Sequence, residues 1–478
     1  MIKVDLLIVG DALDGPVEEI TRVASLDKFL RMFGGYYYEE TAIASGTTGY
    51  TLSNTPWADS VLPLQYDSDG SLIAKRLFEF AVNGTSLTFT KSGAASSTVV
   101  FRYPVIPGST SLVRGVLQAV KTATNVYVLR LGGTHASTTS SGGFVFTAKY
   151  PGSRYNGTTI VVSSGSVSIT PAPGTGRLKS YTITNDDGFI AALRNELARG
   201  FQSVILTGPG SQSTKTLPNG TYVLTGGTDG TLTTDALVAY IEENDIAGID
   251  VICPVGLSTA QLSGSGLFSL LDTTDYPSLI VAQAPASGVA LSGSINTLRN
   301  LCSVAFDLTL DLGDPRQRTE GAAPLVAAII AGTRFGITLA PLLEGPVSPL
   351  YDQAGLTALS NAGHTAAYKS ISKDWAIYHA NTGDENWRVS TFRSFQEIVR
   401  PVYEILEPLL GTVVLNLSSL NDILGEAFAS VVGSRVISWN LNQSGDTLYC
   451  EIEFKPYGEV RTIKARMSLG VAESADLA

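Results

Sequence analysis

Residues 418–469 change their hydrophobic period from that of a helix to that of a strand, and this change most constrains how the chain can fold. In the first part, apolar residues recur every three or four positions and form one stripe along a helix: Leu420, Ile423, Leu424, Ala427, Phe428 and Val431. From 437 onward, apolar and polar residues alternate in three runs, at 437–441, 448–454 and 463–469. Such alternation predicts strands with one buried and one solvated face. The sequence therefore predicts an α+β unit that ends in β-strands.

The last two of these runs fit each other as an antiparallel pair. A register that matches apolar with apolar and acid with base gives these opposite pairs: Ile452 with Ile463, Cys450 with Ala465, Leu448 with Met467, and Glu451 with Lys464. A two-stranded ribbon at a chain end is marginal alone and leaves open edges. The strands must therefore join a larger sheet, either in their own subunit or in a neighbour. An ordinary C-terminal hairpin that closes its own domain stays open as an alternative on pattern alone.

Length and composition indicate a folded protein of several domains. A chain of 478 residues is too long for one hydrophobic core, and about two to four domains are expected. Hydrophobic residues make up 44% and charged residues 16%, a balance that argues against extended disorder. The net charge is -11 and no basic run occurs. No nucleic-acid-binding surface is expected, because phosphate contacts need clustered Lys and Arg.

The cysteines and the apolar runs give no sign of disulfides, zinc or a membrane. Cys253, Cys302 and Cys450 are scattered without CxxC spacing, which is typical of small buried residues. The apolar run at 4–9 is too short, and too soon interrupted by an acid, to be a signal peptide. The run at 325–331 is far shorter than the roughly 20 residues of a membrane span. We expect a soluble protein made in a reducing compartment, with no membrane insertion.

Short continuous apolar runs alternate with helical patterns over much of the chain. The predicted strands lie at 4–9, 20–24, 126–130, 203–206, 250–253, 278–281 and 304–308. The predicted helices lie at 26–33, 112–120, 189–198, 234–243, 324–330 and 384–410. Pro401 falls inside the last helix and is expected to kink it. Buried strands of this kind are typical of a largely parallel sheet covered by helices on both faces.

Two stretches rich in β-forming residues interrupt this pattern. Residues 36–104 carry many Tyr, Thr, Ser and Gly, and residues 142–184 contain alternating runs separated by Pro-Gly and Asn-Gly turns. The predicted fold class is α/β plus β: a multidomain chain with an α/β core whose mixed sheet is flanked by helices, inserted β-rich domains, and an α+β C-terminal domain ending in β-strands. The expected units are the N-terminal part of the core at 1–35, a β-rich insertion at 36–104, a core segment at 105–140, a β-rich domain at 141–185, further core at 186–365 and the C-terminal domain at 366–478.

The histidines do not form a recognisable catalytic group in the sequence. His135, His364 and His379 lie far apart, without metal-ligand spacing to each other or to a cysteine. A catalytic triad is spatial and could still use one of them, but no Gly-x-Ser-x-Gly elbow follows a strand. We expect no catalytic residues, and a multidomain hydrolase built on the α/β core remains the alternative from another class.

Two further motifs lack the residues that ligand binding requires. The glycine-rich loop at 225–230 follows a predicted strand, but it has neither the Gly-Lys-Ser/Thr ending nor the Gly-x-Gly-x-x-Gly spacing of a phosphate-binding loop. Asp307, Asp311 and Asp314 lack the spacing and terminal Glu of a calcium loop. A tight turn and a solvated acidic loop are the better interpretations. No cofactor and no metal are expected.

Four stretches together resemble the contractile tail sheath proteins of long-tailed bacteriophages. They are the strand, Gly-Pro turn and short helix ending in Phe-Gly at 8–35; the helix and strand at 110–130; Ala148-Lys149-Tyr150-Pro151-Gly152 through Asn156-Gly157 to Val162; and the most specific motif, Leu224-Thr225-Gly226-Gly227-Thr228-Asp229-Gly230. The long helix and the terminal strands are also similar to the C-terminal domain of that family. The resemblance spans most of the chain except residues 36–104.

The resemblance implies a structural subunit, not an enzyme. Such subunits form six-fold rings stacked helically around a tail tube, and the assembly shortens to drive the tube through the bacterial envelope. The implied partners are copies of the same chain, the tail tube protein, and the baseplate and tail terminator proteins. The C-terminal domain and the start of the chain would face the tube, the β-rich insertions would face outward, and the protein would belong to the virion tail after assembly in the host cytoplasm.

The resemblance also implies that neighbouring subunits lend terminal strands to each other's sheets, a form of β-augmentation. The residues expected to carry this linkage are Leu448, Cys450, Ile452, Phe454, Ile463, Ala465 and Met467, and the family motif comprises Gly226, Gly227, Asp229 and Gly230. Only three residues precede the first predicted strand, so the N-terminal arm common in such proteins is not expected. The sequence does not separate a phage tail from a phage-derived contractile injection machine.

Overall fold

The computed structural model describes residues 4–34, 37–43, 49–51, 62–66, 72–75, 80–83, 86–89, 98–105, 111–120, 122–123, 125–163, 166–171, 181–184, 204–207, 217–244, 246, 248–273, 277–284, 298–311, 317–332, 347–348, 351–369, 375–378, 381–384, 387–406, 408, 417–431, 436–444, 447–454 and 463–470. The helix expected at 189–198 lies outside these residues.

Helices and strands alternate along the described residues. The helices are α1 (Leu26–Phe33), α2 (Ser111–Ala119), α3 (Thr234–Glu243), α4 (Thr259–Ser263), α5 (Leu267–Thr273), α6 (Ala323–Gly332), α7 (Gln353–Asn361), α8 (Val389–Leu406) and α9 (Leu417–Val431). The strands are β1 (Val4–Gly10), β2 (Thr21–Val23), β3 (Tyr37–Ile43), β4 (Gly49–Thr51), β5 (Leu62–Tyr66), β6 (Leu72–Lys75), β7 (Phe80–Asn83), β8 (Ser86–Phe89), β9 (Thr98–Val105), β10 (Val126–Arg130), β11 (Ser137–Thr139), β12 (Val145–Ala148), β13 (Thr159–Val162), β14 (Ser166–Thr170), β15 (Tyr181–Thr184), β16 (Val204–Thr207), β17 (Gly220–Val223), β18 (Ile249–Pro254), β19 (Leu279–Gln283), β20 (Leu301–Val304), β21 (Asp307–Asp311), β22 (Gln317–Gly321), β23 (Val347–Ser348), β24 (His364–Lys369), β25 (Trp375–Tyr378), β26 (Val436–Ser444), β27 (Thr447–Phe454) and β28 (Ile463–Gly470).

A central sheet of eight strands runs in the order β2-β10-β1-β18-β19-β20-β24-β25. The six inner strands pair in parallel, and the two edge strands, β2 and β25, pair antiparallel to their neighbours. Helical connections return the chain to the same end of the sheet, as parallel pairing requires. The mixed sheet expected from the sequence is confirmed.

Helices cover both faces of this sheet because the inner strands are apolar on both sides. In β1, Leu6 and Ile8 point into one core, which also contains buried residues of α1, α2 and α6. Leu7 and Val9 point into the opposite core, with buried residues of α3, α4 and α5. A continuous apolar strand in the sequence thus becomes a strand buried between two helical layers.

Residues 137–223 contain a β-sandwich that packs next to the central sheet. One layer has the order β11-β12-β16 and the other has the order β15-β14-β13-β17. Side chains from both layers share one core, and the ring centroids of Phe146 and Tyr222 lie 5.6 Å apart across it. The β-rich block expected at 141–185 therefore shares its sheets with β16 and β17, which come later in the chain.

The expected β-rich insertion at 36–104 contains only strands among its described residues. They form two antiparallel sheets, β3-β9-β5-β6 and β4-β8-β7. The strands pair with other strands of the same block, and the first and last of them, β3 and β9, pair with each other, as expected of an insertion that folds on its own. A further small sheet, β22-β21-β23, lies after the central strand β20.

Two predicted elements differ from the structure. The strand expected at 304–308 is divided between two sheets, because the chain leaves the central sheet after Val304 and β21 begins at Asp307. The amide of Gln283 donates to the Phe306 carbonyl at 3.0 Å and to Asp307 Oδ1 at 3.1 Å, and so holds the chain at this turn. The helix expected at 384–410 is shorter and spans Val389–Leu406, with Pro401 inside it.

Strands β24 and β25 belong to the central sheet, so the boundary expected between 365 and 366 falls inside β24. At the start of this strand, the Nδ1 atom of His364 lies 2.9 Å from Oγ of Ser303 on β20. His364 is 2% exposed and Ser303 is fully buried. Burial lowers the pKa of His364 to about 4, because the charged imidazolium would lose its hydration.

We therefore expect His364 to stay neutral well below its ordinary pKa. The unfolded chain takes up this proton near the ordinary value of about 6.5, so the neutral form stabilises the fold above that pH. The stabilisation is lost as the pH falls toward the folded pKa. In NMR spectra of histidine-labelled protein, the ring resonance that disappears in His364→Asn should not move between about pH 8 and about pH 6. A titration midpoint near 6.5 for that resonance would contradict the buried neutral state.

Candidate assembly site

The C-terminal helices and strands form a unit with its own core. Helices α8 and α9 pack against one face of the antiparallel sheet β26-β27-β28. The buried residues of this core are Ile398, Val399, Val402, Tyr403, Leu406, Leu420, Leu424, Phe428, Leu441, Cys450, Ile452 and Phe454. From the predicted stripe Leu420, Leu424 and Phe428 lie in this core, and from the predicted alternation Leu441, Cys450, Ile452 and Phe454 do. Ile423 and Ile437, predicted on the same faces, are instead 50% and 54% exposed. We refer to α8, α9 and β26–β28 as the C-terminal unit.

The predicted register of the last two strands is wrong by two residues. The structure pairs Phe454 with Ile463, Ile452 with Ala465, Cys450 with Met467, Leu448 with Leu469, Glu451 with Arg466 and Glu453 with Lys464. A shift of two residues keeps each side chain on its predicted face, because strand side chains alternate with a period of two. The observed register gives four apolar pairs and two pairs of opposite charge, whereas the predicted register gives three and one. Matching apolar with apolar and acid with base therefore favours the observed register.

The predicted linkage residues lie together on this sheet, and three of them have a role inside the chain. Cys450, Ile452 and Phe454 are each at most 1% exposed and contact the helices of the unit. The rings of Phe454 and of Phe395 on α8 stack with centroids 6.1 Å apart. Burial raises the pKa of the Cys450 thiol to about 12, so it remains protonated and unreactive. Leu448 lies in the same ladder, and Ile463, Ala465 and Met467 lie in β28.

The sheet of the C-terminal unit has two outer strands, β26 and β28, and the described residues contain no fourth strand paired with either. Strand β26 has an irregularity between Val436 and Ser438, where the register to β27 shifts. The extra residue, Ile437, is 54% exposed. A bulge of this kind re-aims a side chain at a sheet edge. Each outer strand therefore has one edge that pairs with no other described strand.

A buried ion-pair group joins the C-terminal unit to the central sheet. Asp250, on β18, is 1% exposed. Its carboxylate accepts from Arg393 Nη1 at 2.9 Å and also contacts Arg400 Nη2, and both arginines lie on α8. Gln396, between them on the helix, donates to the main-chain oxygens of Asp250 and Pro277, each at 2.6 Å. We refer to these side chains as the Asp250 cluster.

Sequence reasoning missed the Asp250 cluster, although a signal was present. Arg393, Gln396 and Arg400 recur at the helical spacing of three and four and so share one face of α8. Asp250 stands at the start of an otherwise apolar strand. Charged residues in such patterns are rarely buried unless they are paired. The acid and the arginines can be recognised as partners only once the strand and the helix are known to be in contact.

The glycine-rich family motif forms the junction between the β-sandwich and the rest of the chain. Gly227 packs so closely that an added Cβ would lie 2.4 Å from the Gly152 oxygen, and one on Gly230 would lie 2.3 Å from the Gly133 nitrogen. Gly226 and Gly230 have φ of 80° and 76°, a conformation that favours glycine. Asp229 accepts from the Ser153 main-chain N–H at 2.7 Å and from its hydroxyl at 2.8 Å. The motif is therefore a tight structural turn, as the sequence predicts.

A second motif of the resemblance meets the same turn. The side-chain amide of Asn156 donates to the Gly227 oxygen and its oxygen accepts from the Gly227 N–H, both at 2.8 Å. Next to it, Tyr155 is 1% exposed and donates to Asp14 Oδ1 at 2.5 Å. Arg154 pairs with the other oxygen of Asp14 at 2.9 Å. Residues from three separate motifs thus close one polar network.

Arg130, at the end of β10, completes this network. Its side chain is fully buried and donates to the main-chain oxygen of Gly15 at 3.1 Å and to the main-chain oxygen of Asp229 at 3.4 Å. Burial lowers the pKa of Arg130, and the nearby carboxylates of Asp14 and Asp229 oppose that shift. Burial also raises the pKa of Tyr155, so its hydroxyl keeps the proton that it donates to Asp14. We refer to the residues that make these bonds as the Asp14 network; they are Asp14, Arg130, Ser153, Arg154, Tyr155, Asn156 and Asp229. The motifs can be recognised in the sequence, but the contacts between them cannot.

The place where a doubly wound fold most often binds a ligand is filled by the chain itself. The inner strands follow the order β10-β1-β18-β19-β20-β24, so the ligand crevice of such a topology is expected beyond the ends of β1 and β18. There Asp11 and Ser111 hydrogen-bond to each other through side chains and main chain. The Asp11 carboxylate thereby occupies the N-terminus of α2, a position suited to an anion.

A cavity of about 260 Å³ lies beside this point, between the ends of β18 and β19 and helices α2 and α6. Two glutamines on its wall cap the N-terminus of α6. Gln283 accepts from the Ala323 N–H and Gln118 from the Leu325 N–H, each at 3.1 Å. The main-chain N–H groups of Ala323 and Leu325, at the N-terminus of α6, are therefore satisfied within the chain.

The described part of the chain holds no group of three or more His, Cys, Asp or Glu side chains placed to bind a metal ion. Among the described residues, no helix is both long enough and apolar enough to cross a membrane.

Comparison with solved structures gives matches over nearly the whole chain. A sheath tail protein from Desulfitobacterium hafniense is 16% identical with a TM-score of 0.54, and the match covers 98% of this chain and 97% of that chain. A sheath tail protein from Listeria innocua is 13% identical with a TM-score of 0.58, and the match covers 98% and 94%. The chain therefore has the fold of sheath tail proteins.

The helical sheath of the anti-feeding prophage in its contracted state also matches, at 11% identity and a TM-score of 0.44. Because this TM-score is low, the match adds no support to the fold assignment made from the two matches above. No protein-family model matches the sequence, and no curated protein matches it.

We expect Asp250→Asn to destabilise the attachment of the C-terminal unit. The substitution leaves two arginines near the sheet without their carboxylate, and breaking a buried pair in this way costs roughly 3–5 kcal/mol. Faster cleavage of the chain near α8 by a nonspecific protease under native conditions is the measurement. Asp422→Asn, at an exposed position of α9, is the matched control and should cleave as the wild type does. Equal cleavage rates in the two variants would contradict this role of Asp250.

A second expectation concerns the turn at Gly227. Gly227→Ala should lower the stability of the β-sandwich by roughly 1–3 kcal/mol, because the added methyl group overlaps the Gly152 carbonyl. Gly266→Ala is the control, since its added methyl group would meet no atom within 4 Å. In thermal unfolding, the first transition should occur at a lower temperature than in the wild type only for Gly227→Ala. An unchanged transition would mean that the turn relaxes without cost.

Proposed function

We propose that this chain is the structural subunit of a contractile tail sheath, which polymerises as stacked six-fold rings around a tail tube. The assembly would shorten and drive the tube through a bacterial envelope. The observation that carries the proposal is the fold shared with two sheath tail proteins over at least 94% of the length of each. Because both are less than a fifth identical to this chain, the likeness fixes the fold, and the function is the inference.

The arrangement of the central sheet supports a structural role. Asp11 fills the anion position at the start of α2, and two glutamines cap α6 beside the cavity. These polar groups are used to hold elements together. A sheath needs no fuel molecule bound to each subunit, because an extended lattice can be held by a kinetic barrier.

Strand β28 is the element that we propose to link neighbours. A strand exchanged between identical chains makes the same contacts with the neighbouring copy as it makes within its own chain. The register of β28 to β27 would therefore be kept. Residues 463–467 of one copy would then lie against residues 450–454 of the next. Backbone hydrogen bonds supply the affinity and the alternate side chains supply the specificity in such contacts. The contact is heterologous and can therefore continue along a helical array.

The exposed side of α9 supports a partner-facing role for the C-terminal unit. Ile423 is 50% exposed and lies between the exposed acids Asp422 and Glu426. An apolar side chain flanked by carboxylates suits a partner surface with basic residues around a recess. We assign this surface to the tail tube protein, with baseplate and terminator proteins at the ends of the array, in the virion tail after assembly in the host cytoplasm.

Two alternative functions are a sheath of a contractile injection system, which the fold also fits, and a hydrolase, which it does not favour. A sheath from a phage-derived contractile injection system would have the same fold and the same linkage, and the neighbouring genes would separate the two. A hydrolase would need an accessible nucleophile and base. The Ser303–His364 contact has the residue types of such a pair, but both side chains are buried, so a substrate could not reach them.

Electron microscopy of the purified chain tests the proposal. Negatively stained samples at high concentration should show striated tubes or stacked rings with six-fold symmetry. A protein that stays monomeric under all assembly conditions and hydrolyses model esters would overturn it.

Removal of β28 tests the proposed linkage. A chain that ends at residue 462 should fold, because Cys450, Ile452 and Phe454 already pack against the helices of their own unit, but it should give no polymer that pellets in the ultracentrifuge. The control ends at residue 470 and keeps β28, so it should polymerise. If the shorter chain unfolds, β28 is part of the core of its own subunit. If it polymerises normally, the linkage lies elsewhere.

A further inference from the structure

Among the described strand residues of the β-sandwich, the outward-facing positions carry no charged side chain. On the β11-β12-β16 layer the outward positions alternate with the buried core positions and are Ser137, Thr139, Val145, Thr147, Ile205 and Thr207. On the β13-β14-β17 strands of the other layer they are Thr159, Val161, Ser168, Thr170, Thr221 and Val223. All twelve are Ser, Thr, Val or Ile. We call these sets the first face and the second face.

These faces also expose apolar side chains. Val161 is 41%, Ile205 37% and Val223 41% exposed, and they are three of the five large hydrophobic residues that are exposed in the described part of the chain. Neighbouring strands place Val161 opposite Thr221, and Thr159 opposite Val223, so methyl groups and hydroxyls form a continuous surface. Sheet faces that remain in water usually carry interspersed charges. These two faces lack that feature.

We propose that the β-sandwich is a head-to-tail contact between copies of this chain, with the first face of one copy lying on the second face of the next. The proposal rests on the proposed assembly of this chain into a polymer. It adds a contact that does not involve the C-terminal unit.

Charge is the reason for choosing a second copy as the occupant. Each copy has a net charge of -11, so two copies repel unless they meet where no like charges oppose each other, and such oppositions are costly. The two faces allow an approach without that cost. Small hydroxyl groups lose little on leaving water if they can hydrogen-bond across the contact. β-branched side chains pack well against a second pleated surface.

The geometry of the sandwich determines the direction of growth. The two faces lie on opposite sides of one core, so a contact between unlike faces leaves one face free at each end and continues from copy to copy. Each face covers on the order of 200 Å², from strand spacing and rise. That is well below the roughly 800 Å² per partner of a stable complex. The contact would therefore act only within an assembly that other contacts already hold together.

Cysteine cross-linking in assembled particles tests this contact. Val161→Cys and Ile205→Cys are nearly conservative at exposed positions, and the three native cysteines are buried. When the two single variants are mixed and assembled, a short bis-maleimide should join them into dimers. The double variant should give a ladder of higher oligomers. Ser141→Cys, exposed in the turn between β11 and β12, is the control and should not cross-link to either variant.

The outcomes separate this contact from the proposed function. Particles that form normally but give no Val161→Cys to Ile205→Cys dimer would overturn the contact and leave the sheath proposal intact. Dimers formed by Val161→Cys alone, as readily as by the mixture, would overturn the head-to-tail arrangement. Failure of the wild-type chain to form particles would contradict both.

Discussion

A carboxylate buried against two arginines is the contact on which the arrangement of the subunit depends. Asp250 is 1% exposed and pairs with Arg393 and Arg400. Burying an unpaired carboxylate in this place would cost several kcal/mol. The Asp250 carboxylate is therefore compensated only while β18 and α8 lie together, and this requirement holds the C-terminal unit on the central sheet. An apolar contact would hold the two with more tolerance for sliding, because the hydrophobic effect is not directional.

The Asp14 network has the same effect at the other end of the parallel strands, because Asp14 follows the end of β1 whereas Asp250 lies near the start of β18. Asp14 lies next to the Gly15-Pro16 turn and binds Arg154 and Tyr155 of the β-sandwich. The glycines of the family motif let the main chains come close enough for these bonds to form. Both junctions thus combine a buried acid with defined hydrogen bonds. In the proposed sheath, a chain joined in this way would change its place in the lattice as one rigid body, which is how packed proteins transmit large movements.

Much of the fold could be predicted from the sequence, because period and turn residues are local signals. The alternation in β27 and most of the stripe in α9 placed the buried residues on the correct faces, but Ile423 of that stripe is 50% exposed. The error of two residues in the register between β27 and β28 shows the limit, since alternation fixes the face but not the alignment. Asp250 and Asp14 could not be assigned from the sequence, because their partners are 143 and 140 residues away. The strand-lending role of β28 and the use of the outer sandwich faces remain proposals.

Hydrogen–deuterium exchange of the full-length chain tests most directly whether the buried acids make one rigid body. Peptides that cover 152–158, 225–231 and 389–400 contain main-chain groups of the two junctions. The account predicts that these amides exchange as slowly as those of β18 and β19, because opening a junction would expose a paired charge. Fast exchange of either junction while the central sheet stays protected would contradict it. The units would then be hinged, and the rigid movement of the subunit would have to be abandoned.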